Sequence, residues 1–139
     1  MKTKHFLIDT NFILRFLLDV PSQFKEAERV FKKIEDKTAT GVVSVLVINE
    51  LIWIFQYFYK KKRQDFIPQI LKLLSLKNIK ILEIKKAELI NILKASLENN
   101  FDYTDLYLLF LSKKSGQSIQ SFDKQLIRAT KLNNIKILS

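Results

Sequence analysis

The stretch HFLIDTNFILRFLLD, residues 5–19, decides how the rest of the chain is read. His5 to Ile8 form a short, mostly apolar run that ends abruptly in Asp9, Thr10 and Asn11. A second apolar run then begins at Phe12. A run this short, closed by small polar residues, reads as a strand over His5–Ile8, and the residues after it as a helix over Asn11–Leu18. The same punctuation recurs downstream. A helix is expected over Ser22–Asp36, with Ala27, Val30, Phe31 and Ile34 on one face, and a second strand over Thr38–Val43. Ser44 can cap an apolar helix reaching Lys60, and a helix over Asp65–Leu76 places Pro68 near its first turn. NIKILE, Asn78–Glu83, reads as a third strand. Helices over Lys86–Leu97 and Asp102–Lys114 follow, then a strand at Ser118–Phe122, a helix at Lys124–Lys131 and a last strand, IKIL, at Ile135–Leu138. Alternation of this kind predicts a parallel sheet of four or five strands with helices on both faces, joined by right-handed crossovers. The length, 139 residues, suits one domain spanning residues 1–139.

Composition narrows the chemistry. Hydrophobic residues make up 47% and charged residues 27%, enough for a packed core and against disorder. The absence of cysteine removes disulfides, thiolate nucleophiles and thiolate-bound zinc, and a single histidine, His5, removes any catalytic pair of imidazoles. His5 itself reads as a strand-edge residue. Carboxylates must carry the chemistry of any enzyme here. A net charge of +10 favours an anionic partner, although lysine-rich composition alone also serves solubility. The most apolar segment, residues 41–59, contains Ser44, Asn49, Glu50 and Gln56. A carboxylate at midspan is costly in a bilayer, so the segment reads as a core helix and the chain as a cytoplasmic protein without a signal peptide.

The acids then stand out by position. Asp9 follows the first strand and Asp123 the expected fourth, at the carboxyl edge where open α/β sheets bind ligands. Taken singly, each reads more readily as an N-cap for the helix that follows it. Glu50 shares a narrow stripe with Asn49, Trp53 and Gln56 on an otherwise apolar helix. The stripe can be a surface face. A helix so apolar is nevertheless expected to be buried, and a buried carboxylate needs a cation or strong hydrogen bonds. In FDYTDLYLLFLSKK, Asp102 suits a helix cap, while Asp105, beside Leu106 and Leu109, lies nearer the core.

Taken together, LIDTN, INELIW, FDYTDLYLLFLSKKSG and QSFDKQL resemble the PIN-domain ribonucleases, in particular the toxin subunits of VapBC-type toxin–antitoxin pairs. The resemblance covers nearly the whole chain, though residues 60–98 carry no specific motif. It implies a three-layer α/β/α sandwich whose acids Asp9, Glu50, Asp105 and Asp123 converge and hold Mg2+ or Mn2+ for RNA cleavage. Thr10, Asn11 and Ser121 match the small polar residues beside those acids, with Ser121 where the family often has Thr. It also implies a homodimer and a cognate antitoxin covering the acidic site. The chemistry agrees, because hard divalent cations prefer carboxylate oxygens and assist phosphodiester hydrolysis without histidine.

Two other features remain open from the residues alone. Lys60, Lys61, Lys62 and Arg63 can be a solvated helix end or an RNA contact. The aromatic run Trp53, Phe55, Tyr57, Phe58 and Tyr59 exceeds what one small core absorbs, so part of it is expected to bury against a second subunit. The rival classes are a catalytically inactive PIN-like RNA-binding module, which would tend to have lost a carboxylate, and a receiver- or phosphatase-like acidic α/β domain. The latter needs paired acids near the first strand, and LIDTN offers one.

Overall fold

The computed structural model describes residues 4–18 and 21–131. The chain divides into two compact units, Met1–Lys86 and Ala87–Ser139.

The first unit is built on a parallel sheet of three strands in the order β1-β2-β3: β1 (Lys4–Leu7), β2 (Ala39–Val43) and β3 (Ile79–Ile81). Lys4 pairs with Ala39 and Leu7 with Val42, while Gly41 pairs with Ile79 and Val43 with Ile81. Four of the five β2 residues are buried, so both faces of the central strand are covered, as parallel strands require. Helix α1 (Thr10–Leu17) leaves the end of β1 and packs against α2 (Pro21–Glu35), which in turn lies on β2. Ala27, Phe31 and Ile34, spaced at three and four residues, form the buried face of α2. Phe16 stacks on Phe31 with ring centroids 4.4 Å apart, joining the two helices.

Gly41 is the point of closest packing. A Cβ placed on it would meet the Cδ1 atoms of Ile79 at 2.8 Å and of Ile34 and Ile8 at 2.9 Å. Three isoleucine tips therefore occupy the space that any side chain here would need.

Helix α3 (Val45–Trp53) follows β2 directly, with Ser44 as its N-cap. The expected continuous helix to Lys60 is interrupted: Ile54–Phe58 form one π-helical turn, marked by the Tyr59 N–H donating to the Ile54 carbonyl at 3.0 Å. Lys60, at a φ of 55°, ends it. Phe55 is buried and stacks on Phe66, 5.4 Å between centroids. Phe66 belongs to α4 (Arg63–Leu74), where Pro68 sits in the second turn rather than the first, because the helix starts two residues before its expected boundary. The Lys86 ammonium donates to the carbonyls of Leu76 and Ile79 at 2.9 and 2.8 Å, pinning the turn that leads into β3. Burial lowers its pKa from 10.5.

The second unit carries most of α5 (Lys86–Glu98), α6 (Tyr103–Ser115) and α7 (Lys124–Lys131). Leu89, Ile92, Leu93, Leu106, Leu109 and Phe110 are buried, and α7 packs on α6 through Leu126 and Ala129. Gly116 ends α6 with a φ of 73°, the left-handed cap that glycine adopts without strain. The expected strand at Ser118–Phe122 does not form. Its two apolar residues, Ile119 and Phe122, are three apart and so fall on opposite faces of an extended chain, leaving neither face apolar. The strand expected at residues 135–138 lies outside the described residues. The fold is α/β with a parallel sheet, as expected, but the described residues contain three strands instead of four or five.

Candidate functional site

In the first unit the carboxyl edge of the sheet collects polar groups. Ile8 completes the β1–β2 ladder, its N–H donating to the Val42 carbonyl at 3.0 Å, and the chain then turns into α1 at Asp9. Asp9 is exposed and caps α1, its Oδ1 accepting the Phe12 N–H at 2.9 Å. Thr10 is buried and Asn11 exposed. At the end of β2, Ser44 caps α3 by accepting the Leu46 N–H at 3.1 Å. Just beyond β3, Glu83 accepts the Val45 N–H at 3.0 Å and the Ser44 hydroxyl, so its carboxylate meets the positive end of α3. Glu83 was not singled out by the sequence. The signal available was only its place one residue beyond an apolar run.

Glu50 lies in the second turn of α3 and is exposed, contrary to the burial expected of so apolar a helix. The reason is visible along the helix: Leu46, Glu50, Trp53 and Tyr57 form one exposed stripe. Apolar residues on that stripe make the segment read as a core helix without being buried themselves. Trp53, Tyr57, Phe58 and Tyr59 are all exposed, and only Phe55 of the aromatic run is buried. Lys60, Lys61 and Lys62 are exposed and Arg63 partly buried. Their charges suit the carboxyl end of the π-helical turn but stand unfavourably at the amino end of α4, where Lys62 is the N-cap residue. A cavity of about 760 Å³ lies among α1, α2 and α4 over Phe16, Phe24 and Phe31, and contains none of the candidate residues.

In the second unit Asp102, Asp105 and Asp123 share one field. Asp105 is half-buried in the first turn of α6, and its pKa is raised above the ordinary 3.8 by burial first, then by the negative charges of Asp102 and Asp123. Asp102 holds the N-cap position, but its side chain makes no capping hydrogen bond, so the side-chain cap expected of it is not formed. Asp123 caps α7: its Oδ1 accepts the N–H groups of Gln125 and Leu126 at 2.9 and 3.3 Å. Ser121 sets up this turn, its Oγ accepting the Asp123 N–H at 3.0 Å. Asp9 and Asp123 thus each commit one carboxylate oxygen, Oδ1, to a helix, and Oδ2 accepts no hydrogen bond among the described residues.

Within each unit, no three Asp, Glu or His side chains among the described residues gather closely enough to cage a metal ion. The donor chemistry still favours a hard cation over zinc or copper, since every candidate ligand is a carboxylate oxygen. Asp105 is held in a negative field that a nearby cation would relieve. No helix among the described residues is long and apolar enough to cross a membrane.

A parallel α/β sheet with acids at strand-to-helix turns, and a helix opening on paired aspartates, defines a class of acid-centred α/β proteins. The family model for the PIN domain matches residues 6–132, and the chain belongs to that family. No curated protein and no solved structure gave a significant match.

Proposed function

We propose that the protein is a metal-dependent endoribonuclease in which Asp9, Glu50, Asp105 and Asp123 hold Mg2+ or Mn2+, the two units working as one PIN domain. The observation that carries this reading is membership of the PIN family over residues 6–132, a span that takes in all four acids. The negative field around Asp105 supports it, because a cation offsets the cost of bringing like charges together. When bound, a divalent cation stabilises charge developing on the phosphate and makes water a better nucleophile at neutral pH. The chain's own residues fix the donors. Helix caps orient Asp9 and Asp123, the Ser121 hydroxyl holds the Asp123 turn, and Glu83 anchors the amino end of the helix that carries Glu50. A net charge of +10 draws the RNA backbone, with Lys60, Lys61, Lys62 and Arg63 as one proposed contact.

Within this reading the protein is the toxin of a type II pair, acting in the cytoplasm as a homodimer and silenced by an antitoxin segment over the acidic site. The exposed Leu46, Trp53, Tyr57 and Phe58 give it apolar surface for association. An Arg or Lys of the antitoxin would neutralise the carboxylates in place of the cation.

The test is cleavage of a structured RNA with Mg2+ or Mn2+. Wild type should cut, EDTA should stop it and Asp105→Asn should abolish it. Full activity in either control overturns the metal mechanism, and wild-type RNA binding without cleavage selects the inactive binding module. Co-purification with the product of a neighbouring small gene tests the toxin assignment.

A further inference from the structure

The helix that Asp123 caps carries a groove of its own. It is an open cavity of about 510 Å³ lined by Ser121, Phe122, Lys124, Ile127, Arg128 and Lys131. Lys124, Arg128 and Lys131 follow one another at four and three residues, which puts them on one side of α7, opposite the buried Leu126 and Ala129. All three are exposed, and no acidic side chain among the described residues pairs with any of them. From first to last they span about 10 Å of helix axis. At the mouth of the groove stands Phe122, with a relative exposure of 106%, the barest large hydrophobic side chain among the described residues.

A phenyl ring fully exposed beside three cations that have no acidic partner among the described residues fits one kind of ligand better than any other. A protein partner would bury the ring but leave the cations poorly matched, since charged residues are depleted from the core of protein interfaces. Free phosphate would satisfy the cations and leave the ring unused. A single nucleic-acid strand satisfies both, stacking a base on the ring while its phosphates follow the cations. A duplex keeps its bases stacked on one another and offers the ring no face. The other aromatic cluster, by contrast, has its rings turned on each other: Phe58 meets Tyr59 edge-on at 4.9 Å and Trp53 lies 5.7 Å from Tyr57.

We propose that the α7 groove binds a single nucleic-acid strand, with an unpaired base stacked on Phe122 and the backbone held by Lys124, Arg128 and Lys131. The inference rests on the nuclease reading for its role, since it sets the strand beside Asp123; what it adds is Phe122 as the stacking platform and α7 as the backbone track. Phe122 and the three cations are binding residues and take no part in bond cleavage.

The experiment is fluorescence anisotropy of the full chain in EDTA, which separates binding from cleavage. The probes are labelled 12-nucleotide single strands of RNA and DNA, a blunt duplex of the same length, and an abasic single strand. The expected result is single-strand binding that Phe122→Ala weakens about tenfold. Phe122→Leu should weaken it similarly, Phe122→Trp should restore it, and none should change binding of the abasic strand. Replacing Lys124, Arg128 and Lys131 together by Ala should reduce the dependence of log affinity on log salt by about 2, from 0.7 per phosphate contact. The RNA and DNA arms show whether the ribose hydroxyl is read. Phe122→Ala within twofold of wild type, Phe122→Leu binding like wild type, or a duplex bound as tightly as a single strand would each overturn the proposal. Circular dichroism and gel filtration of the same variants should match wild type, because the ring is bare; a changed oligomeric state with unchanged strand binding would assign Phe122 to a protein interface instead. Strand binding without cleavage on added Mn2+ removes the nuclease reading and leaves the groove standing. Cleavage with binding indifferent to Phe122 removes the groove alone.

Discussion

Replacing Gly41 by Ala should destabilise the protein although alanine is the smallest possible addition. The new methyl carbon would stand 2.8 to 2.9 Å from three isoleucine Cδ1 atoms, against a comfortable separation of roughly 3.5 to 4.0 Å. Each tip must therefore retreat by about 0.6 to 1.2 Å. One could do so by a rotamer change, but Ile79, Ile34 and Ile8 are all buried, at 0%, 1% and 4% exposure, and all three must move together. Overpacking of this kind costs about 1 to 3 kcal/mol. Alanine recovers about 0.4 to 1 kcal/mol by restricting the unfolded chain, and because three buried tips must move together the net loss should fall in the middle of the resulting range, at about 1 to 2 kcal/mol. With an unfolding entropy near 2.1 cal/mol/K per residue, the 139-residue chain should lose about 3 to 7 °C in Tm. Differential scanning calorimetry measures it. The sharper assay is a double-mutant cycle with Ile34→Val, which deletes one of the three Cδ1 atoms. Alone, Ile34→Val should cost about 0.5 to 1.5 kcal/mol; combined with Gly41→Ala it should cost little, or restore stability. An unchanged or raised Tm in Gly41→Ala, or strict additivity in the cycle, would refute the packing argument.

Asp105 should show a linked trade between stability and activity. Its pKa is raised in the folded state, so the stability associated with its protonated form is present at acid pH and lost as pH rises through that raised value from 3.8. Asp105→Asn should accordingly raise Tm at pH 7 relative to wild type, with the difference shrinking toward pH 3, while cleavage disappears. Asp9→Asn should keep α1 capped, since Asn caps as well as Asp, and lose metal-dependent cleavage; Asp9→Ser should do the same. Glu83→Ala should cost about 1 kcal/mol by denaturant titration, because it strips the amino end of α3 of its carboxylate. Light scattering over a dilution series should give a dimer, and a strictly monomeric chain at high micromolar concentration would remove the homodimer proposal.

The parts of the fold that the sequence made legible are those where side-chain period and burial coincide. The run from His5 through the α3 cap reads correctly to within a residue or two, because each apolar run is short, each is closed by a polar residue, and α2 repeats at three and four. Ser118–Phe122 misleads because its extended, polar character suits a strand while its two apolar residues cannot share a face. The π-helical turn at Ile54–Phe58 leaves no mark in the sequence at all, since it is a slip of backbone hydrogen bonds. Glu50 misleads for another reason. The many apolar residues around it suggested burial, whereas the spacing of Leu46, Glu50, Trp53 and Tyr57 describes an exposed stripe, and the spacing is the better guide. The α7 groove had its signal in the 124, 128, 131 spacing of cations beside a lone Phe, but a basic helix face is too common to single out before the ring is seen to be bare.

The sequence left Asp9 and Asp123 as either helix caps or site residues, and the structure removes the opposition. A cap needs one acceptor, and a carboxylate has two oxygens. Asp9 gives Oδ1 to the Phe12 N–H, and Asp123 gives Oδ1 to Gln125 and Leu126. Those bonds fix each carboxylate at the amino end of a helix. Side-chain freedom that a cation would otherwise have to freeze is already spent in folding, so Oδ2 is presented at little further entropic cost. On the proposed reading, capping is then the means by which these two carboxylates are held for a cation. The same logic does not extend to Asp105, which sits inside α6 with its charge opposed by burial and by two like neighbours. Two acids held by their helices and one opposed by its surroundings make an uneven set, and under the proposed mechanism a cation beside Asp105 would offset the burial and the like charges that raise its pKa.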